Sequence, residues 1–335
     1  MIDILKTFTH LQSVARPSGF ESPCAQAIAE LAGPYCDEVK IDTLGNVICH
    51  KKGPGKKLMM AAHMDVIGLI ITHIDTKGFL RFGALGGFVP YRLIGARMKL
   101  ENGMGGSVWC DEKAMEEKKL EDISLNDLYL DIGAESEESA RKMVQVGDVA
   151  MYEGEPQQLG QMVLSPYCDD LIACAALLSA MSQVEKSEND LYFVFTVQEE
   201  VGLRGAATAA YAIDPDFGVC MDVTRTGDNP SEKAKMVVKL GAGPTIKIKD
   251  VSLLCNPQVI AHLREAAKEG DVPYQDEVLT AGGTDSAAIQ KTRGGVLSGC
   301  ISIPCRYIHS QNEMVSLKDV EQSARLMALC AQRTL

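Results

Sequence analysis

Apolar residues recur at helical spacing from the start of the chain. Leu5, Phe8, Leu11 and Val14 stand three residues apart, and Pro17-Ser18-Gly19 ends the pattern, which predicts a helix closed by a turn. A second helix is predicted over 23–31, with Ala25, Ile28 and Ala29 apolar. Strand-like pieces follow at 38–41 and 47–50, and the basic, Gly/Pro-broken stretch 51–57 predicts a turn. Leu58-Met59-Met60-Ala61-Ala62 is a short continuous apolar run, the pattern of a strand buried on both faces. Similar runs recur at 192–197, 217–221 and 296–303, and helical stretches fill 171–184, 257–269 and 317–331. Strands alternating with helices of this length predict an α/β fold, a mixed sheet covered by helices on both faces in an α/β/α sandwich.

The stretch from about 66 to 160 breaks this rhythm. It is rich in glycine and in short β-like pieces at 79–82, 97–100 and 127–132, with one clear helix at 136–144. It reads as a β-rich insertion. The expected organisation is therefore residues 1–66 and 160–335 in one domain and 67–159 in the other.

The chain has 335 residues, long for a single core, which agrees with two domains. Its net charge of -12 disfavours nucleic acid and anionic lipid as partners. No run of about 18 apolar residues predicts a membrane span. The start Met1-Ile2-Asp3-Ile4-Leu5-Lys6 lacks a basic region followed by an apolar core, so no secretory signal is expected. The eleven cysteines are an odd, scattered set without a Cys-x-x-Cys pair, which reads as free thiols in a reducing cytoplasm.

Candidate chemistry gathers where predicted strands end, the place where open α/β sheets carry their sites. His63 and Asp65 follow the first apolar run, Asp169 and Asp170 precede a helix, Glu199 and Glu200 follow a strand, Asp222 ends another, and His309 follows the last. Each has an ordinary alternative: a hydrogen-bonded histidine, an aspartate N-cap, a solvated glutamate pair. Asp222 within Cys220-Met221-Asp222-Val223 is harder to dismiss, because a carboxylate among apolar residues is costly unless paired or metal-bound. Together, carboxylates and imidazoles make a mixed N/O set suited to zinc, cobalt or manganese. Two ions sharing one carboxylate would stand roughly 3.5 Å apart. Of Glu199 and Glu200, one can bind metal while the other stays free as a general base.

The chain resembles the glutamyl-aminopeptidase family of cytosolic metallopeptidases, which includes the tetrahedral (TET) aminopeptidases. The motifs that carry the resemblance are Ala62-His63-Met64-Asp65-Val66-Ile67-Gly68, Asp169-Asp170, Gln198-Glu199-Glu200-Val201-Gly202-Leu203-Arg204-Gly205-Ala206, Met221-Asp222-Val223-Thr224, Gly282-Gly283-Thr284-Asp285 and Arg306-Tyr307-Ile308-His309-Ser310. The resemblance implies an aminopeptidase acting on short peptides with two divalent ions, zinc first and cobalt or manganese as alternatives. Asp169 would bridge the ions, His63 and Asp222 would complete one site, and Glu200 and His309 the other. Glu199 would be the general base and Asp65 would orient His63. Gly282, Gly283, Thr284 and Asp285 would line the substrate pocket, with an ordinary turn and N-cap as the alternative. The Asp169–Asp170 bond is expected to be cis.

The resemblance also implies that the insertion pairs subunits, and that the dimers assemble into a twelve-subunit homo-oligomer. Residues 79–100 and 127–147 resemble the family's insertion, including Leu93-Ile94-Gly95-Ala96-Arg97 and Asp131-Ile132-Gly133-Ala134. Two departures stand out. Leu171 occupies a position where the family usually has arginine, and Val108-Trp109-Cys110-Asp111 lacks the usual Pro-Pro-His. Three other readings stay open from the residues alone. An amidohydrolase or deacylase on the same scaffold would need a cation for a substrate carboxylate. A glycoside hydrolase would leave both histidines unexplained. A non-catalytic relative draws its only support from Leu171.

Overall fold

The computed structural model describes residues 2–230 and 236–334. Its centre is an eleven-stranded mixed sheet. Four strands run parallel side by side at its middle: Asp190–Thr196, Lys57–His63, Phe217–Arg225 and Leu297–Arg306. Antiparallel strands extend both edges, Val47–Lys51 and Glu38–Ile41 on one side, Glu313–Ser316, Met162–Ser165 and Gln157–Leu159 on the other. Two further strands, Thr245–Lys249 and Gln275–Val278, branch from Leu297–Arg306.

The continuous apolar runs behave as two-sided strands. Leu58, Met60 and Ala62 pack into the larger core, and Met59 and Ala61 into a smaller one on the opposite face. Val219 and Met221 divide from Cys220 in the same way. Successive side chains point to opposite faces, so helices must cover both. Ile4–Ser13, Ser22–Ala32, Cys168–Gln183 and Leu317–Gln332 contribute to the larger core, and Arg204–Ile213 and Ser286–Gln290 to the smaller. Every residue from Cys168 to Met181 is buried, the composition of a helix enclosed on all sides. Fully burying one such leucine stabilises by about 1.5–3 kcal/mol.

Six strands between residues 68 and 152 close a separate small barrel, in the order Gly68–Ile74, Leu80–Leu85, Leu128–Asp131, Gly105–Cys110, Arg97–Leu100 and Val149–Tyr152. Met98 and Leu100 point inward while Arg97 and Lys99 face out, the alternation expected of a barrel wall. The fold is thus α/β, as expected, with a β-rich insertion. The helix predicted over 136–144 is shorter, Glu137–Arg141, with Ser136 capping it through the Ser139 N–H. Among the described residues, no helix is long and apolar enough to cross a membrane.

Candidate metal centre

The parallel strands deliver their polar residues to one end of the sheet. His63 is the last residue of Lys57–His63 and is buried. Asp222 lies near the end of Phe217–Arg225 and is buried too. Glu199 and Glu200 follow Asp190–Thr196 in a turn opened by Gln198 at φ 55. His309 follows Leu297–Arg306 and itself has φ 63. Asp169 and Asp170 open Cys168–Gln183 but are not helical, and the peptide bond between them is cis.

Asp169 stands between the two imidazoles. Its Oδ1 lies 3.1 Å from His63 Nε2 and its Oδ2 lies 3.2 Å from His309 Nε2. Two sets of ligand atoms meet at this carboxylate. His63, Asp169, Asp170 and Asp222 offer atoms within 4.8 Å of one another, and so do Asp169, Glu200 and His309. Glu199 sits to the side, its Oε2 4.0 Å from His63 Nε2.

Two buried carboxylates frame the cluster from behind. Asp65 accepts the Glu199 N–H at 2.9 Å, the Glu200 N–H at 3.2 Å and the Ser18 hydroxyl at 2.6 Å. Toward His63 it is the Asp65 main-chain oxygen that comes closest, 3.1 Å from Nδ1, with the carboxylate at 3.5 Å. Glu313 accepts the Asp169 N–H at 2.9 Å and the His309 N–H at 2.7 Å. Sequence reasoning did not find Glu313. Its only signal is an acidic residue at the start of the apolar strand Glu313–Ser316. Asp170, seen beside Asp169 but given no role, enters the first ligand set.

The electrostatics are those of a site short of positive charge. Burial pushes the Asp170, Glu199, Asp222 and Glu313 carboxyls well above their usual range. Asp169 goes the other way: burial opposes its charge, but His309 and His63 hold its carboxyl well below the usual range. Against burial, Asp169 and Glu200 push the His309 imidazole up to about 11. Asp170 Oδ1 is buried without a hydrogen-bond partner. An orphaned carboxylate oxygen beside four more acids and two imidazoles is the donor chemistry of a divalent cation.

The centre opens into a cavity of about 400 Å³ walled by Leu203, Thr224, Leu279, Ala281, Gly282 and Gly283 among others. Thr284 and Asp285 lie buried behind that wall. Asp285 accepts the Thr196 hydroxyl, and burial lifts its carboxyl to about 6. Gly87, from the loop after the barrel strand Leu80–Leu85, also faces the cavity; a Cβ there would stand 3.1 Å from His309 Nδ1. Leu171 is fully buried in the larger core and does not line the cavity.

A family model for M42 glutamyl aminopeptidases matches residues 45–326. The chain belongs to this family. A relative from Acetivibrio thermocellus, provisionally named an aminopeptidase, is 49% identical over 98% of both chains. An aminopeptidase structure from the archaeon Desulfurococcus kamchatkensis superimposes with a TM-score of 0.94 at 38% identity, covering 98% of this chain and 94% of that one. The Pyrococcus horikoshii TET1 peptidase, described as able to assemble into a tetrahedron or a large octahedral shell, matches with a TM-score of 0.87 at 29% identity over 98% and 99% of the two chains. The M42 chain is accordingly an aminopeptidase, a hydrolase of peptide bonds from a metallopeptidase family, and its buried His/Asp cluster fits divalent ions.

Proposed function

We propose that the chain removes the N-terminal residue of short peptides at a dinuclear centre bridged by Asp169. The observation that carries this reading is the single carboxylate with an imidazole at each oxygen, 3.1 Å and 3.2 Å away. His63 and Asp222 complete one site; Glu200 and His309 complete the other. Zinc suits this N/O set, with cobalt and manganese as alternatives. When bound, the ions would supply Lewis acidity and lower the pKa of the attacking water. Glu199 takes the proton of the attacking water and returns it to the leaving amine. Its Oε2 lies to the side of both ligand sets, 4.0 Å from His63 Nε2, which leaves it free for this role. Asp65 and Glu313 fix the backbone that aims these groups. The acidic cavity attracts a free α-ammonium and so restricts cleavage to the first residue, with Gly282, beside which a Cβ would meet nothing within 4 Å, leaving room against the wall.

The insertion of residues 67–159 is proposed as the unit that pairs subunits, and a homo-oligomer follows from likeness to peptidases that assemble into shells. Trp109, 48% exposed on the barrel, is an apolar group such pairing would cover. All eleven cysteines are free thiols, which supports a cytoplasmic location.

Glu199→Gln tests the reading. It should lower turnover of an amino-acid anilide by at least about 10²–10⁴-fold while both ions stay bound. An active variant with full metal content would remove Glu199 from its role.

A further inference from the structure

The metal cavity does not end at the metal centre. Arg225 and Ile308 line both this cavity and an adjoining one of about 780 Å³ between the barrel and the large sheet. The two have opposite charge. Asp169, Glu199, Glu200 and Asp222 line the inner cavity beside His63, His309 and Lys247, whose ammonium is taken by Glu277 at 2.9 Å and Asp250 at 3.3 Å. Arg92, Arg225 and Arg306 line the outer one, and among the described residues no Asp or Glu does.

The three arginines are not equivalent. The Arg306 guanidinium is taken by Asp228, at 2.7 Å and 3.1 Å. Arg92 and Arg225 are exposed and have no carboxylate partner among the described residues. Two uncompensated arginines in one groove run against the net charge of -12. Guanidinium groups match a carboxylate with paired donors.

We propose that Arg92 and Arg225 form a carboxylate site for the departing end of the substrate, so that the enzyme favours di- and tripeptides with a free C-terminus. The inference rests on the aminopeptidase reading. A short peptide is a zwitterion, with its ammonium at the acidic end and its carboxylate at the basic end. The lengths agree. Arg225 lies three residues beyond Asp222 on one strand, about 10 Å at roughly 3.3 Å per residue. An extended tripeptide spans about the same distance at roughly 3.5 Å per residue.

The test uses the full-length, metal-loaded protein and the N-terminal residue Xaa that an anilide panel selects. The kcat/KM for Xaa-Gly-Gly should exceed that for its C-terminal amide about tenfold, the size expected of one charged hydrogen-bonded contact. In the Arg92→Gln/Arg225→Gln double variant the acid-to-amide ratio should fall to within about twofold. The ratio is internal to each protein, so it does not depend on overall activity. Cleavage of the anilide with no acid preference, or a preference that survives in the double variant, overturns the carboxylate site and leaves the aminopeptidase reading standing. A preference for Xaa-Glu-Gly-amide over Xaa-Gln-Gly-amide without one for the free acid overturns it as well, because a side chain is then the anion read. Absence of release from anilide and peptide alike overturns the aminopeptidase reading and this inference with it.

Discussion

Asp65 and Glu313 are the same device used twice. Each buried carboxylate accepts two backbone N–H groups from residues of the metal cluster, Glu199 and Glu200 for one, Asp169 and His309 for the other. Glu313→Ala leaves two buried N–H groups unpaired and frees the backbone of both residues. The expected result is metal affinity weaker by about 10–100-fold, read by competition with a chelator. Unchanged affinity would show that Glu313 serves only local folding. Asp65 was legible in the sequence because it lies two residues after His63 in a motif. Glu313 was not, because nothing in Glu313-Met314-Val315-Ser316 reveals that its first residue turns inward. Leu171 is next to Asp169-Asp170 in sequence but belongs to the core. Leu171→Ala should cost about 2–5 kcal/mol in unfolding free energy, measured by denaturant titration.

At the scale of elements, the parallel strands were readable because burial on both faces forces a continuous apolar run. The helix Arg204–Ile213 was missed. Its buried residues are Gly205, Ala206, Ala209, Ala210 and Ile213, mostly too small to leave a strong apolar stripe. Smallness is what the site needs there. The helix begins against the segment that leads from the strand Asp190–Thr196 to Glu199, and a Cβ on Gly205 would stand 2.4 Å from Val197 O and 2.3 Å from Asn46 Oδ1. Asn46 Oδ1 also accepts the Val197 N–H at 3.1 Å, and its amide donates to Gly205 O at 3.2 Å. Gly205→Ala should therefore destabilise by about 1–3 kcal/mol and lower activity through displaced Glu199 and Glu200. A melting temperature equal to wild type would argue against this packing. The barrel strands were only partly legible: 97–100 alternates cleanly, whereas Gly105–Cys110 mixes glycines with exposed Trp109.

For the whole molecule, metal content and stability should move together. The cluster holds more buried negative charge than its imidazoles offset, so ions bound at it favour the folded chain. At free ion concentrations 100 times Kd, each site adds about 2.7 kcal/mol. Chelation should abolish activity and lower the melting temperature, and added zinc, cobalt or manganese should restore both. A chelated protein with unchanged melting temperature would place the ions outside the fold's energetics. The bridging role of Asp169 was an even choice against a helix cap in the sequence alone; an imidazole at each of its two oxygens, 3.1 Å and 3.2 Å away, supports the bridge. Anomalous diffraction from zinc-loaded crystals tests that role most directly. The account predicts two peaks roughly 3.5 Å apart on either side of the Asp169 carboxylate. A single peak, or two that do not share Asp169, would contradict it.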